Sequence, residues 1–218
     1  SPFSPVGVLL CKTHADLWGT GGAASYQTPD VSGYAAGLID AADTNGWNNG
    51  TNGIRHEVVK SILMTGADKT DFDTLFTSWT SNGINNLDNA NGAGRADYAA
   101  ILAVLTSGPQ AVASVSGTTV NLPAVTNAMA GWWYESSLGV NSSQALIVDL
   151  TSSVLTDLTA TLAWDVTQTE TGGGQYLDTT DTGVIFPDLD LELLPISYSG
   201  GAYTLGSSLG VPGLMSKS

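Results

Sequence analysis

Apolar residues recur at helical spacing in the first half of the chain and at strand spacing in the second. Thr28 and Pro29 read as a helix entrance, with Thr28 as cap and proline at the first helical position. From 29 to 42 the residues are small and apolar nearly all round: Val31, Gly33, Ala35, Ala36, Gly37, Leu38, Ile39, Ala41 and Ala42. A helix without a wide polar face is expected to be buried on most sides. The Asn/Gly-rich run 45–53 reads as a loop. A second helix is expected over 55–65, with Val58, Val59, Ile62 and Leu63 as its apolar stripe, and a third from about 96 to 105. The pattern then changes near Gly108-Pro109. Segments 146–150, 158–164 and 189–193 read as strands, and 203–205 is a weaker candidate. In 158–164, Leu158, Ala160, Leu162 and Trp164 alternate with Thr159, Thr161 and Ala163, the period of a half-buried strand. Short strands separated by Gly/Thr-rich loops point to an antiparallel β-sandwich.

Composition narrows the partners. Among 218 residues, Lys and Arg total 6 and Asp and Glu total 20, for a net charge of −14. Such a field repels phosphate backbones, so nucleic acid is not an expected partner. No apolar run approaches the roughly 18 residues of a membrane span. Charged residues make up only 12% of the chain and Gly alone numbers 26, a weakly charged, turn-rich surface common in secreted and β-rich proteins. The single cysteine, Cys11, has no partner for an internal disulfide and reads as a small buried hydrophobe. The first residues do not form a signal peptide, and both ends read as cut from a longer protein.

The segment 25–38 carries the most chemistry. It places Ser25 at the entrance of a small-residue helix, where backbone N–H groups are unpaired and the helix dipole is positive. Such a site suits the oxyanion formed when a serine attacks a carbonyl. A serine before a helix is more often only a cap, so the wider context matters. Residues Ala23-Ala24-Ser25-Tyr26-Gln27-Thr28-Pro29-Asp30-Val31-Ser32-Gly33 resemble the Gly-Thr-Ser-x-Ala-x-Pro-x-Val-x-Gly segment of subtilisin-like serine proteases. Ser25, Pro29, Val31 and Gly33 match; Ala23-Ala24 stands for Gly-Thr and Gln27 for Ala. Segment 56–67 is similar to the family's following helix, which ends in Leu-x-x-Thr-Ala. Segment 92–100, Gly-Ala-Gly-Arg-Ala-Asp-Tyr-Ala-Ala, is similar to its Gly-x-Gly-x-Val-Asp-Ala-x-Ala-Ala. The three follow the family's order across 19–105. Segments 158–164 and 188–191 resemble the sandwich appended to some large members.

The resemblance implies acyl transfer: Ser25 attacks a peptide carbonyl, a His takes its proton, and an Asp orients the His. In the family the Asp, the His and the oxyanion-hole Asn lie upstream of the serine. None of their segments occurs among the 24 residues before Ser25. His14, in Thr-His-Ala-Asp, reads as a loop residue, and His56 as a surface residue at a helix start. Asp188 and Asp190 share a strand face. They suit structural hydrogen bonding better than Ca²⁺, so no cofactor is expected, although a structural calcium remains an open alternative there. Segment 68–73 lacks the glycine and final Glu of a calcium loop and reads as solvated. Gly19–Gly22 lacks the Gly-Lys-Ser/Thr of a phosphate loop. Trp132, Trp133 and Tyr134 offer either a sugar platform or core packing, and packing is favoured. Asn49 and Asn141 begin glycosylation sequons.

The expected architecture is thus the serine-bearing, helical part of an α/β subtilisin-like domain over 1–108, followed by an antiparallel sandwich over 109–218. The expected function is a secreted or cell-surface serine endopeptidase acting on protein or peptide substrates, with this chain inactive by itself. The alternative is a non-catalytic secreted protein that uses the sandwich for adhesion or carbohydrate binding. Oligomeric state is not readable from the residues.

Overall fold

The computed structural model of the chain describes residues 24–47, 53–70, 79–81, 87–88, 92–121, 130–139, 142–147, 158–164, 189, 191–200 and 202–207. Three helices lead: α1 (Ala24–Thr44), α2 (His56–Thr65) and α3 (Tyr98–Thr106). Between α2 and α3 lies a short antiparallel pair, β1 (Ala67–Asp68) with β2 (Arg95–Ala96). Five further strands follow: β3 (Ala113–Ser116), β4 (Thr119–Asn121), β5 (Ser143–Ala145), β6 (Ile196–Ser199) and β7 (Ala202–Leu205). They form one open antiparallel sheet in the order β5-β3-β4-β7-β6.

The helical core is Leu38 and Ala42 of α1, Val58, Val59, Ile62 and Leu63 of α2, and Ile101 and Leu105 of α3. Val31, Tyr34, Ala35 and Ala41 pack against it from α1, so the stripe follows the three-to-four-residue period of a helix. The expectation that α1 is buried on most sides is corrected here. Its opposite side is open: Ser32, Gly33, Ala36 and Asp40 are exposed, and Ile39 is 44% exposed. A shallow groove of about 360 Å³ runs along that side, lined by Ala36, Ile39, Asp40, Asp43 and Ile54. Side chains as small as Ala and Gly bury little area per residue, so one neighbouring layer is enough to hold this helix. The Tyr98 ring of α3 fills the space beside Gly37 and stacks on Tyr34, with centroids 5.4 Å apart.

A residue from the second half completes this core. Trp132 is 5% exposed and lies in the same cluster. Its Nε1–H donates to the Leu105 carbonyl at 3.1 Å, at the end of α3, where the Gly108 N–H donates to the same oxygen at 2.9 Å. Trp47 meets the indole edge-on at 6.0 Å. The backbone joins in: Gln110 N–H donates to the Trp132 carbonyl at 2.7 Å, and Trp132 N–H to the Gly108 carbonyl at 3.3 Å. Tyr134 packs beside the core under the Arg55 guanidinium, which sits 5.3 Å from the ring centre. Of the two readings of this aromatic run, Trp132 takes the packing role and offers no open platform.

The sheet is one-sided. Residues paired across strands share a face. Val115, Val120, Tyr203 and Tyr198 therefore form one row across β3, β4, β7 and β6, with Ala113, Leu205 and Ile196 on the same side. The reverse side carries Ser114, Ser116, Thr119, Asn121, Thr204 and Ser197, all exposed. Ala113 and Val120 are buried, whereas Tyr198 at the β6 edge is 64% exposed. β3 and β4 join through a two-residue turn whose Gly117 has φ 61°, a conformation that glycine adopts without a steric penalty.

Several strand expectations change. Tyr203-Thr204-Leu205 lies in β7, as its pattern indicates. Segment 158–164 forms no strand despite its alternation, and Leu158, Thr159, Ala160 and Trp164 are exposed. Alternation specifies two faces but supplies no hydrogen-bonding neighbour, and pairing needs both. The described part of 189–193 is likewise unpaired, and in 146–150 the described Leu146 and Ile147 follow β5 rather than lying in a strand. Residues 148–150 and Asp190 lie outside the described residues. β3, β4 and β6 are too short and too Ser/Thr-rich to stand out by pattern.

Beyond Trp132, the 130–139 segment also meets β5. The Gln144 side-chain amide donates to the Glu135 carboxylate at 2.9 Å. That bond, with help from the Ser137 N–H, holds the Glu135 carboxyl below its usual range. A carboxyl lowered in the folded state contributes stability above the unfolded value and loses it as pH falls through the folded one. The stability difference between wild type and Glu135→Gln should therefore be small, present at neutral pH and absent in acid, as urea melts across pH will read. Trp132→Ala should cost about 3–5 kcal/mol, the usual loss for truncating a buried Trp, measured by urea unfolding. Trp132→Phe should cost less, because it keeps most of the packing and loses the bond to Leu105.

Candidate functional site

The three segments singled out in the sequence are far apart along the chain, and the helices they open, form or lead into share one core. The first opens α1, the second is α2 with its exit, and the third leads into α3. Leu38, Ile62 and Ile101 from these helices are fully buried in one cluster. The exits also meet directly: Ala67 pairs with Ala96 and Asp68 with Arg95 across β1 and β2.

Local chemistry explains the approach to α3. Gly94 has φ 135°, and a Cβ there would run into the Asp68 carbonyl oxygen. Only glycine lets the chain pass so close to β1 in that conformation. Asp97 then caps α3 from an extended backbone, its Oδ1 accepting from Ala99 N–H at 2.9 Å and Ala100 N–H at 3.2 Å. Nearby, the buried Asp88 accepts from Thr80 N–H at 2.7 Å and exchanges backbone bonds with Gly92. Trp79 Nε1–H donates to the Gly92 carbonyl at 3.0 Å, and the Lys69 ammonium lies 4.9 Å from the Trp79 ring centre. This web ties 79–80, 88 and 92 to the β1 lobe. Patterning did not single out Trp79 or Asp88, because a buried carboxylate that holds backbone amides has no periodic signature.

Ser25 is the second residue of α1. This corrects the expected helix start at Pro29. Thr28 is helical and its carbonyl accepts Ser32 Oγ–H at 2.8 Å, so it is not the cap. Pro29 lies inside the helix. It lacks the N–H that would bond the Ser25 carbonyl in a regular helix, while its fixed φ suits the helical path. The first-turn N–H groups have no intrahelical acceptors, so the backbone at Ser25 sits at the positive end of a 21-residue helix. Ser25 lies about 20 Å along the axis from Leu38, at a 1.5 Å rise per residue, and so away from the helical core.

The other candidates are placed as follows. His56 opens α2; its side chain is 68% exposed, with Nδ1 3.4 Å from Glu57 Oε2. That oxygen is enclosed and makes no hydrogen bond, so the contact is electrostatic and depends on protonation of the imidazole. Asp68 Oδ1 accepts from the Thr70 N–H and hydroxyl, each at 2.7 Å, in a local turn; residues 71–73 of the expected loop lie outside the described residues. No group of three or more metal-ligating side chains occurs among the described residues. No helix among them is long and apolar enough to cross a membrane. Cys11, His14, the 19–22 glycines, Asn49, Asn141, Asp188 and Asp190 lie outside the described residues, as does the side chain of Ser25.

Two substitutions test this frame. Asp97→Ala should cost about 1 kcal/mol of stability by removing the α3 cap, read by thermal or urea melting. Gly94→Ala should cost more than that, since it adds both a strained φ and a collision with β1.

No family model, no curated protein and no solved structure matches the chain.

Proposed function

We propose that this chain is the serine-bearing part of a subtilisin-like endopeptidase, with Ser25 as nucleophile. The observation that supports the reading is that the segments similar to the family's, in the family's order, open, form or lead into helices that share one core: Val31 and Ala96 pack against the cluster that holds Ile62, and the second and third segments pair at Ala67–Ala96 and Asp68–Arg95. The position of Ser25 in the first turn of α1 also supports it, because unpaired backbone N–H groups there are suited to a developing oxyanion. On the same reading the apolar face of the five-stranded sheet is the inner layer of a sandwich.

The chemistry is acyl transfer. Ser25 Oγ attacks the peptide carbonyl and its proton passes to an imidazole. The tetrahedral oxyanion collapses, the amine leaves with that proton, and water then releases the acyl group. The base, the acid that orients it and the second oxyanion donor belong to family segments that lie upstream of the serine. The substrate class is a protein or peptide chain, and the setting is secreted or cell-surface.

The reading predicts two results. The 218-residue chain alone should show no turnover of a fluorogenic peptide library. The in-frame coding sequence before Ser1 should encode an Asp-Ser/Thr-Gly segment and then a His-Gly-Thr segment, and the longer product should cleave peptides in a manner abolished by Ser25→Ala. An upstream frame without those segments, or cleavage that survives Ser25→Ala, would overturn the assignment and favour the non-catalytic binding protein.

A further inference from the structure

We propose that Asn45 is a fold-gated deamidation site, silent while the end of α1 is intact and destabilising once converted. Asn45-Gly46 is the sequence step in which this reaction meets least steric resistance, because the attacking nitrogen belongs to a residue without a Cβ. The Gly46 backbone nitrogen loses its proton and attacks the Asn45 side-chain carbonyl. Ammonia leaves, a succinimide closes, and water opens it to aspartate or isoaspartate. The net change is one amide plus water giving one carboxylate plus ammonia, with no redox step.

In the fold both reacting groups are engaged elsewhere. The Gly46 N–H donates to the Asp43 carbonyl at 2.9 Å, so the nucleophile is held protonated and turned toward α1. The Asn45 Nδ2 donates to the Ala41 carbonyl at 2.8 Å, which draws the leaving group back along the helix. The Asn45 backbone N–H bonds the same carbonyl at 3.1 Å, fixing the residue as the last turn of α1. Among the described residues, two other glycines that follow asparagines in the sequence also have their N–H engaged: Gly53 N–H donates to the Trp47 carbonyl and Gly92 N–H to the Asp88 carbonyl, both at 2.9 Å. Unfolding frees all these amides together.

Conversion also has a direction. A carboxylate at position 45 would lose the donor to Ala41 and put an anion against the carbonyl end of the helix, where the dipole is negative. Asp40 and Asp43, on the same end of α1, add like charge. The product is therefore less stable than the starting chain, and each opening that allows conversion favours the next.

The test incubates the 218-residue chain in mildly alkaline buffer, folded and in guanidinium at the same pH and temperature, and follows Asn45 by peptide mapping with fragment-ion localisation. Conversion at Asn45 should be slower in the folded chain by about tenfold or more, as gating by local opening requires. Separately, Asn45→Asp should melt below wild type. Asn45→Ser, which cannot deamidate and adds no charge, should melt above Asn45→Asp. Equal rates in the folded and unfolded chain, or an Asn45→Asp chain that melts at or above wild type, would overturn the proposal.

Discussion

The indole of Trp132 is the interaction on which the rest of the described structure depends. The core side chains of the three helices are Leu, Ile, Val and Ala, with no large aromatic among the fully buried ones. Trp132 joins them from a segment 27 positions beyond the Leu105 carbonyl it bonds. The indole thus does two jobs that usually fall to different residues: it supplies apolar area to the core, and its N–H adds a second hydrogen bond to a helix-end carbonyl that the Gly108 N–H already reaches at 2.9 Å. The paired backbone bonds at Gly108 and Gln110 hold the chain beside it. The segment that carries Trp132 inward then passes Glu135 to Gln144 on β5, so one stretch of chain touches both the helices and the edge of the sheet.

The composition change near Gly108-Pro109 is real in secondary structure, since helices precede it and the five-stranded sheet follows. It is not a boundary for packing, because the helical core includes a residue from the far side of it. Hydrophobic pattern describes which face of an element is apolar. It does not say which distant residue will cover that face, and a single large aromatic can supply the cover from anywhere in the chain.

The acylation chemistry proposed for Ser25 rests on position rather than on neighbours. The helix start supplies aligned N–H groups and the positive end of a dipole, while the β1–β2 contact ties the exit of α2 to the approach of α3 and Asp97 caps α3. The conformational demands at Gly94 and the close approach to Asp68 show why a Gly-x-Gly sequence precedes α3. His56, the histidine within the described residues, is engaged with Glu57 on the exposed end of α2.

The sequence by itself determined that three helices form and which residues of α2 face the core. Val58, Val59, Ile62 and Leu63 read as one stripe and are buried as one stripe, because a helix turns at 3.6 residues whatever its surroundings. The same holds for the α2 and α3 spans to within a residue or two, and for the strand character of 203–205. The candidate serine was legible as a residue type next to a helix start, although the start itself moved five residues upstream because a proline is tolerated inside α1. Only the tertiary structure decided the strands. The alternating 158–164 is unpaired, while the unremarkable 113–116, 119–121, 143–145 and 196–199 join 202–205 in the sheet. The reason is physical: a helix satisfies its own backbone, whereas a strand becomes a strand only when another segment supplies its hydrogen-bond partners. The role of Trp132, the one-sided packing of α1 and the Asp88 web belong to the same category, since each depends on contacts between residues that the linear order keeps apart.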